Sequence, residues 1–162
     1  MQLLIIEDNR TKLAKIRELV ERLYPEWSVH DAVSYTSGMR RIYNEKWNII
    51  LLDMSLPIYD MVEQDNSGKK KAVAGREIMK RMMNRNIRIP TVVITQFETF
   101  GENEVSINAL NQEFQKELSD IWQGTINYND ATNQWEEELR QILSELERGE
   151  ADDKSVSGRG SI

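Results

Sequence analysis

The sequence predicts an α/β fold: a five-stranded parallel sheet between layers of helices, a three-layer α/β/α sandwich. Two observations carry this expectation. Short apolar runs suited to buried strands alternate with stretches whose apolar residues recur at helical spacing, five times along the chain. Successive β–α units of this kind assemble as a parallel sheet with right-handed crossovers.

Leu3 to Ile6 is wholly apolar, as in a strand covered on both faces. Leu13, Ile16, Leu19, Val20 and Leu23 then recur at helical spacing, and Pro25 stops that helix. Trp27 to Val33 reads as a more polar edge strand and Ser37 to Lys46 as a second helix. Ile49 to Leu52 is the most apolar strand and the expected centre of the sheet. Residues 54 to 74 break the rhythm, and "DNSGKKK" within them is turn-like and basic. Helical spacing resumes with Ile78, Met79, Met82 and Met83, a group expected in the core. Ile89 to Ile94, closed by Thr95, is the fourth strand. "FETFGENE" (97–104) reads as a mobile loop with Gly101 as its turn. Ile107, Leu110, Phe114, Leu118 and Ile121 form the stripe of a longer helix, and Gly124 to Tyr128 a weak fifth strand. Trp135, Leu139, Ile142, Leu143 and Leu146 mark a final amphipathic helix. From Arg148 the chain is polar, Gly/Ser-rich and aperiodic, and a disordered tail is expected. The folded domain is accordingly placed at 1–147, with an enlarged loop at 54–74, and the tail at 148–162.

Composition narrows the function. The 162 residues include no cysteine, which removes disulfides, thiolate metal sites and cysteine nucleophiles. A net charge of −6 argues against direct binding of nucleic acid or anionic membrane. The first ten residues, "MQLLIIEDNR", reach a charge too soon for a signal peptide, and no apolar run approaches a membrane span. A cytoplasmic protein is expected. His30, the single histidine, falls on the edge strand away from the acid cluster and reads as structural or solvent-facing.

Sites in parallel α/β sheets form beyond the carboxyl ends of the strands. The first strand ends in Glu7 and Asp8, the third in Asp53 and the fourth in Thr95. One acid at a strand end is ordinarily a turn or cap residue. Three acids brought to one edge repel one another unless a cation neutralises them. An all-oxygen ligand set suits Mg²⁺, Mn²⁺ or Ca²⁺ over zinc or copper. A carboxylate nucleophile, a metal and a hydroxyl donor together meet the needs of phosphoryl transfer.

These residues resemble the receiver domain of two-component response regulators. The matching segments are "LLIIEDN" (3–9), "NIILLDMSLP" (48–57), "GREIMKRM" (75–82), "IPTVVIT" (89–95) and "WEEELRQIL" (135–143), so the likeness spans residues 1 to 147. The resemblance implies the flavodoxin-like strand order 2-1-3-4-5. It implies that Asp53 accepts a phosphoryl group from a histidine kinase or phosphotransfer protein. It also implies that Asp8 and Asp53 ligate Mg²⁺ (or Mn²⁺) with the backbone carbonyl of Ser55, Glu7 acting through water. Thr95 is then the switch residue that bonds the phosphoryl group. The expected output is an altered protein–protein surface read by a downstream protein, with a homodimer as a family-level possibility. The protein is then a signalling phosphoacceptor with at most self-catalysed phosphorylation and dephosphorylation.

Four departures from the family pattern stand out. The fifth-strand lysine that pairs with the phosphoryl group is replaced by Tyr128, and no lysine lies between Lys116 and Lys154. Gln96 follows the switch threonine where a small residue is usual, and its longer amide would shield the phosphate or hinder the donor. Thr125 stands at the position of the switch aromatic. Gly75, which opens the third helix, comes 22 residues after Asp53, much later than in the family. The added loop carries Lys69, Lys70 and Lys71, and reads as a solvated insertion, a docking element, or a lid that supplies the missing lysine. Two alternatives follow: a pseudo-receiver that serves as an interaction module without phosphorylation, and a metal-dependent phosphohydrolase. The latter needs a second aspartate where Ser55 stands.

Overall fold

The computed structural model describes residues 1–60, 70–96, 99–101 and 105–159. The chain divides into two compact units, Met1–Tyr128 and Asn129–Ile162. The first holds five strands: β1 (Gln2–Ile6), β2 (Ser28–Ala32), β3 (Ile49–Leu52), β4 (Thr91–Thr95) and β5 (Trp122–Asn127). They form one parallel sheet in the order β2-β1-β3-β4-β5. Between them run α1 (Arg10–Leu23), α2 (Tyr35–Asn44), α3 (Ala74–Asn84) and α4 (Ile107–Glu117).

Side chains alternate across the sheet. Leu4, Ile6, Ile50, Leu52 and Val93 build a core with Met39 and Ile42 of α2, Ile78, Met79 and Met82 of α3, and Leu110 and Phe114 of α4. The intervening Leu3, Ile5, Ile49, Leu51, Val92 and Ile94 are equally buried on the other face. Burial on both faces is the reason these strands read as continuous apolar runs. His30 lies on the edge strand β2, where Ser28 Oγ meets its Nε2 at 2.9 Å.

The boundaries shift for local reasons. α2 begins two residues early because Ser34 caps it, in a reciprocal capping box with Ser37. α4 stops at Glu117, so Leu118 and Ile121 are buried in the turn beyond it rather than on its stripe. β5 begins at Trp122, with a bulge opposite Thr91/Val92 in which Gly124 adopts φ 146°. The ends of the enlarged loop are drawn together, Leu56–Pro57 pairing antiparallel with Lys70–Lys71. Beyond β4, where a loop is expected, Thr99–Phe100 pairs with Val105–Ser106, with Gly101 between them at φ 79°. The remaining residues of that segment lie outside the described residues.

The second unit contains α5 (Gln134–Arg159), a single helix of 26 residues. It passes the expected boundary at 147/148, helped by helix formers such as Glu150 and Ala151 and by the absence of proline. No helix among the described residues is long and apolar enough to cross a membrane.

Candidate functional site

Strand register sets the site. Ile6 pairs with Leu52, so the next residues, Glu7 and Asp53, leave the sheet side by side. The Asp53 backbone N–H donates to the Ile6 carbonyl at 3.0 Å and holds the two strand ends together. Ligand oxygens of Glu7, Asp8 and Asp53 lie within 4.8 Å of one another. The Met54 N–H donates to Asp53 Oδ1 at 2.8 Å, and the Asn9 N–H to Glu7 Oε1 at 3.1 Å. Glu7 and Asp53 are buried. Burial, helped by the Asp53 charge, pushes the Glu7 carboxyl up to about 8 against the opposing pull of Lys12.

Asp8 supplies the test of whether a metal fits. Its Oδ1 is buried and has no hydrogen-bond partner. Buried polar atoms are rarely left so. An acid with an orphaned oxygen, grouped with two other carboxylates, is a donor set for a hard divalent cation. A small cleft lined by Asp8, Arg10, Val33 and Pro57 opens beside it.

The other expected residues fall around this cluster. Thr95 is buried at the end of β4, and its carbonyl accepts the Tyr128 N–H at 2.8 Å. Gln96 follows it, exposed, and Ser55 lies in the bend after β3. Thr125 Oγ1 donates to Asn111 Oδ1 of α4 at 2.6 Å, so the position of the switch aromatic is tied to α4 by a hydrogen bond. Lys70 Nζ reaches Asp8 Oδ2 at 3.0 Å, whereas Lys71 turns away to pair with Glu77. Lys69 lies outside the described residues.

Gly75 shows why α3 must open with glycine. A Cβ there would sit 2.7 Å from the Asp53 carbonyl oxygen and 3.1 Å from Met54 Cα. The contact is with backbone, which cannot swing aside, and the Gly75 N–H also donates to the Met54 carbonyl at 3.0 Å. Gly75→Ala is expected to cost about 1–3 kcal/mol as an overpacking change and to displace Asp53. Urea denaturation checks the first effect and Mg²⁺ titration the second; an unchanged midpoint would rule out the clash.

The fifth strand carries no lysine, as the sequence indicates, but the sequence reading missed one residue, a lysine that reaches the site from α1. Lys12, in the first turn of α1, is 2% exposed. Its Nζ lies 2.9 Å from Glu7 Oε2 and 3.4 Å from Asp53 Oδ1, and donates to the Ile94 carbonyl at 2.8 Å. It also stands 5.6 Å from the centroid of the Tyr128 ring. A signal was present: Lys12 continues the buried stripe of Ile16, Leu19 and Val20, while Leu13 is only half-buried. A cation in a helix's first turn also opposes the macrodipole, so local electrostatics do not favour it there.

No protein-family model matches the chain. Over 150 residues it is 31% identical to the Detocs response regulatory protein DtcB of Enterobacter cloacae (strain JD6301), spanning 90% of this chain and 100% of that protein. The chain belongs to the response regulator receiver family. Solved receivers share its fold. A CheY-like receiver domain from Methanospirillum hungatei JF-1 is 20% identical with a TM-score of 0.61, covering 93% of this chain and 97% of its own. The receiver domain of the sensor histidine kinase PA1611 from Pseudomonas aeruginosa PAO1 is 19% identical with a TM-score of 0.54, covering 90% and 95%. The latter holds a magnesium ion coordinated in its active site cleft. The present receiver is atypical: Tyr128 directly follows its fifth strand, and the buried lysine at its acidic cluster comes from α1.

Proposed function

We propose that this receiver accepts a phosphoryl group on Asp53 and signals through an altered protein–protein surface. The observation that carries the reading is the buried Asp53 carboxylate grouped with Glu7 and with Asp8, one of whose oxygens has no partner. In the transfer, an Asp53 oxygen attacks phosphorus and forms a new O–P bond. The bond from phosphorus to the donor's nitrogen or oxygen breaks, and the leaving group keeps the electron pair. The donor is a histidine kinase or phosphotransfer protein. Asp8 and Asp53, with the Ser55 carbonyl and with Glu7 through water, would hold Mg²⁺ (or Mn²⁺), which supplies charge neutralisation for the phosphoryl oxygens. Thr95 bonds the phosphoryl group, and the exposed Gln96 beside it modulates access and lifetime. The expected setting is a cytoplasmic three-layer sandwich that acts on a downstream protein, with or without homodimerisation, and that is not an enzyme beyond its own phosphorylation cycle.

The pseudo-receiver alternative rests on Tyr128 standing in place of lysine; the Lys12 ammonium 3.4 Å from Asp53 Oδ1 favours the phosphoacceptor reading over it. A phosphohydrolase still lacks the second acid, at Ser55. Incubation with acetyl phosphate and Mg²⁺ tests the reading: intact mass should rise by one phosphate, labile to base. Wild-type protein that gains no phosphate with the donor and metal in excess would overturn it.

The loop lysine has a role within this reading. Lys70, carried to the site by its pairing with Pro57, neutralises Asp8 and so competes with a metal for that carboxylate. Its side chain is 48% exposed, so the competition is weak. Lys70→Ala is expected to tighten Mg²⁺ binding a few-fold, at most about fivefold, as read by calorimetry. Unchanged or weaker binding would return the loop to the status of a surface insertion.

A further inference from the structure

We infer that Lys12 takes over the part of the absent fifth-strand lysine and is the direct electrostatic partner of the phosphoryl group on Asp53. The inference rests on the receiver reading above. An ammonium has three N–H donors, and Lys12 finds three acceptors: a carboxylate oxygen from the end of β1, another from the end of β3, and the backbone carbonyl of Ile94 in β4. A buried cation is tolerated only with such complete pairing. The arrangement ties together three strands at the point where phosphoryl charge would arrive. A group joined to Asp53 lies beside a donor already 3.4 Å from its Oδ1. Charge-assisted bonds from that donor strengthen as the acceptor gains negative charge.

Tyr128 completes the exchange of positions. It is buried at the end of β5, with its ring face within cation–π range of the same ammonium. The aromatic ring stands at the sequence position of the family lysine and lies beside the ammonium that comes from α1. Lys12 also holds the carbonyl one residue ahead of Thr95. Any shift of the ammonium toward a phosphoryl oxygen therefore bears on the switch residue.

The test compares wild type, Lys12→Met and Lys12→Met/Tyr128→Lys, each checked for folding by circular dichroism. Beryllium fluoride affinity in Mg²⁺ and Mg²⁺ affinity alone are measured by calorimetry, and phosphate gain from acetyl phosphate by intact mass. Lys12→Met is expected to weaken beryllium fluoride binding and slow phosphate gain by about tenfold or more, the size of one charge-assisted hydrogen bond. Mg²⁺ affinity should hold or rise, because a competing cation has left the carboxylates. A merely structural lysine would not separate the two affinities. Recovery in the double variant supports the exchange of positions, and a folded double variant as impaired as the single one counts against it. If Lys12→Met does not fold, Glu7→Gln/Lys12→Met is compared with Glu7→Gln alone, so that the effect of Glu7 on Mg²⁺ cancels and the same separation of the two affinities is read. Beryllium fluoride affinity and phosphate gain equal to wild type in a folded lysine variant overturn the inference and leave the receiver reading intact. Failure of wild type itself to take phosphate or beryllium fluoride overturns both.

Discussion

Asp53→Asn is expected to abolish the Mg²⁺-dependent gain of phosphate while leaving the fold in place. The amide has the same shape, and its oxygen can still accept the Met54 N–H that now donates to Asp53 Oδ1 at 2.8 Å. Lys12 keeps Glu7 and the Ile94 carbonyl as partners. Gly75 packs against the Asp53 backbone carbonyl rather than its side chain, so that contact survives the substitution. What disappears is the anionic oxygen that attacks phosphorus and one of the carboxylates available to a metal. The Glu7 carboxyl should move down from about 8, since the Asp53 charge is one of the causes of its elevation. Intact mass with and without acetyl phosphate reads the loss, and the urea midpoint reads the fold. A variant that still gains one phosphate would assign the chemistry to another residue.

The second large effect concerns stability. In metal-free protein, Lys12→Met leaves the buried Asp53 carboxylate, and Glu7 once it ionises, without their cation. Breaking a buried pair in this way costs about 3–5 kcal/mol, a large share of the roughly 5–15 kcal/mol that holds an ordinary domain together. The pH dependence follows from Glu7. Its folded carboxyl titrates near 8, against 4.5 as the ordinary value. Between those values the unfolded chain has released the proton and the folded one retains it. The unfolded state then binds fewer protons, so this group's contribution makes stability fall as pH rises through that window and level off above it. Lys12 lowers the Glu7 value, so its removal carries the window to higher pH. The gap between variant and wild type should therefore widen from pH 6 to pH 9, as read by urea midpoints in the presence of a chelator. Equal midpoints at both pH values would show that Lys12 carries no such load. Mg²⁺, by replacing the lost positive charge, should narrow the gap.

Much of this protein is legible from patterns that act locally. β1, β3 and β4 read clearly because strands buried on both faces need apolar residues at every position. Once five β–α units are recognised, the topology rule brings Glu7, Asp8, Asp53 and Thr95 to one edge before any coordinate is known. Less legible were the places where a side chain competes with periodicity. The capping box of Ser34 and Ser37 moves the start of α2, and the turn after Glu117 takes Leu118 and Ile121 off the α4 stripe. Gly75 was recognisable as the opening of α3. The reason for it, a backbone oxygen where a Cβ would stand, belongs to tertiary packing.

The sequence by itself determined the sheet, the acidic edge and the loss of a lysine from the end of β5. Only the tertiary structure decided that the site keeps a lysine all the same. Hydrophobic patterning treats a lysine as solvent-facing, and a family comparison looks for it at one place in chain order. Coulomb attraction depends on separation in space and on the local dielectric, not on separation along the chain. Lys12 meets a carbonyl 82 residues away, and its charge becomes tolerable in the interior only after β1, β3 and β4 have brought their acceptors together.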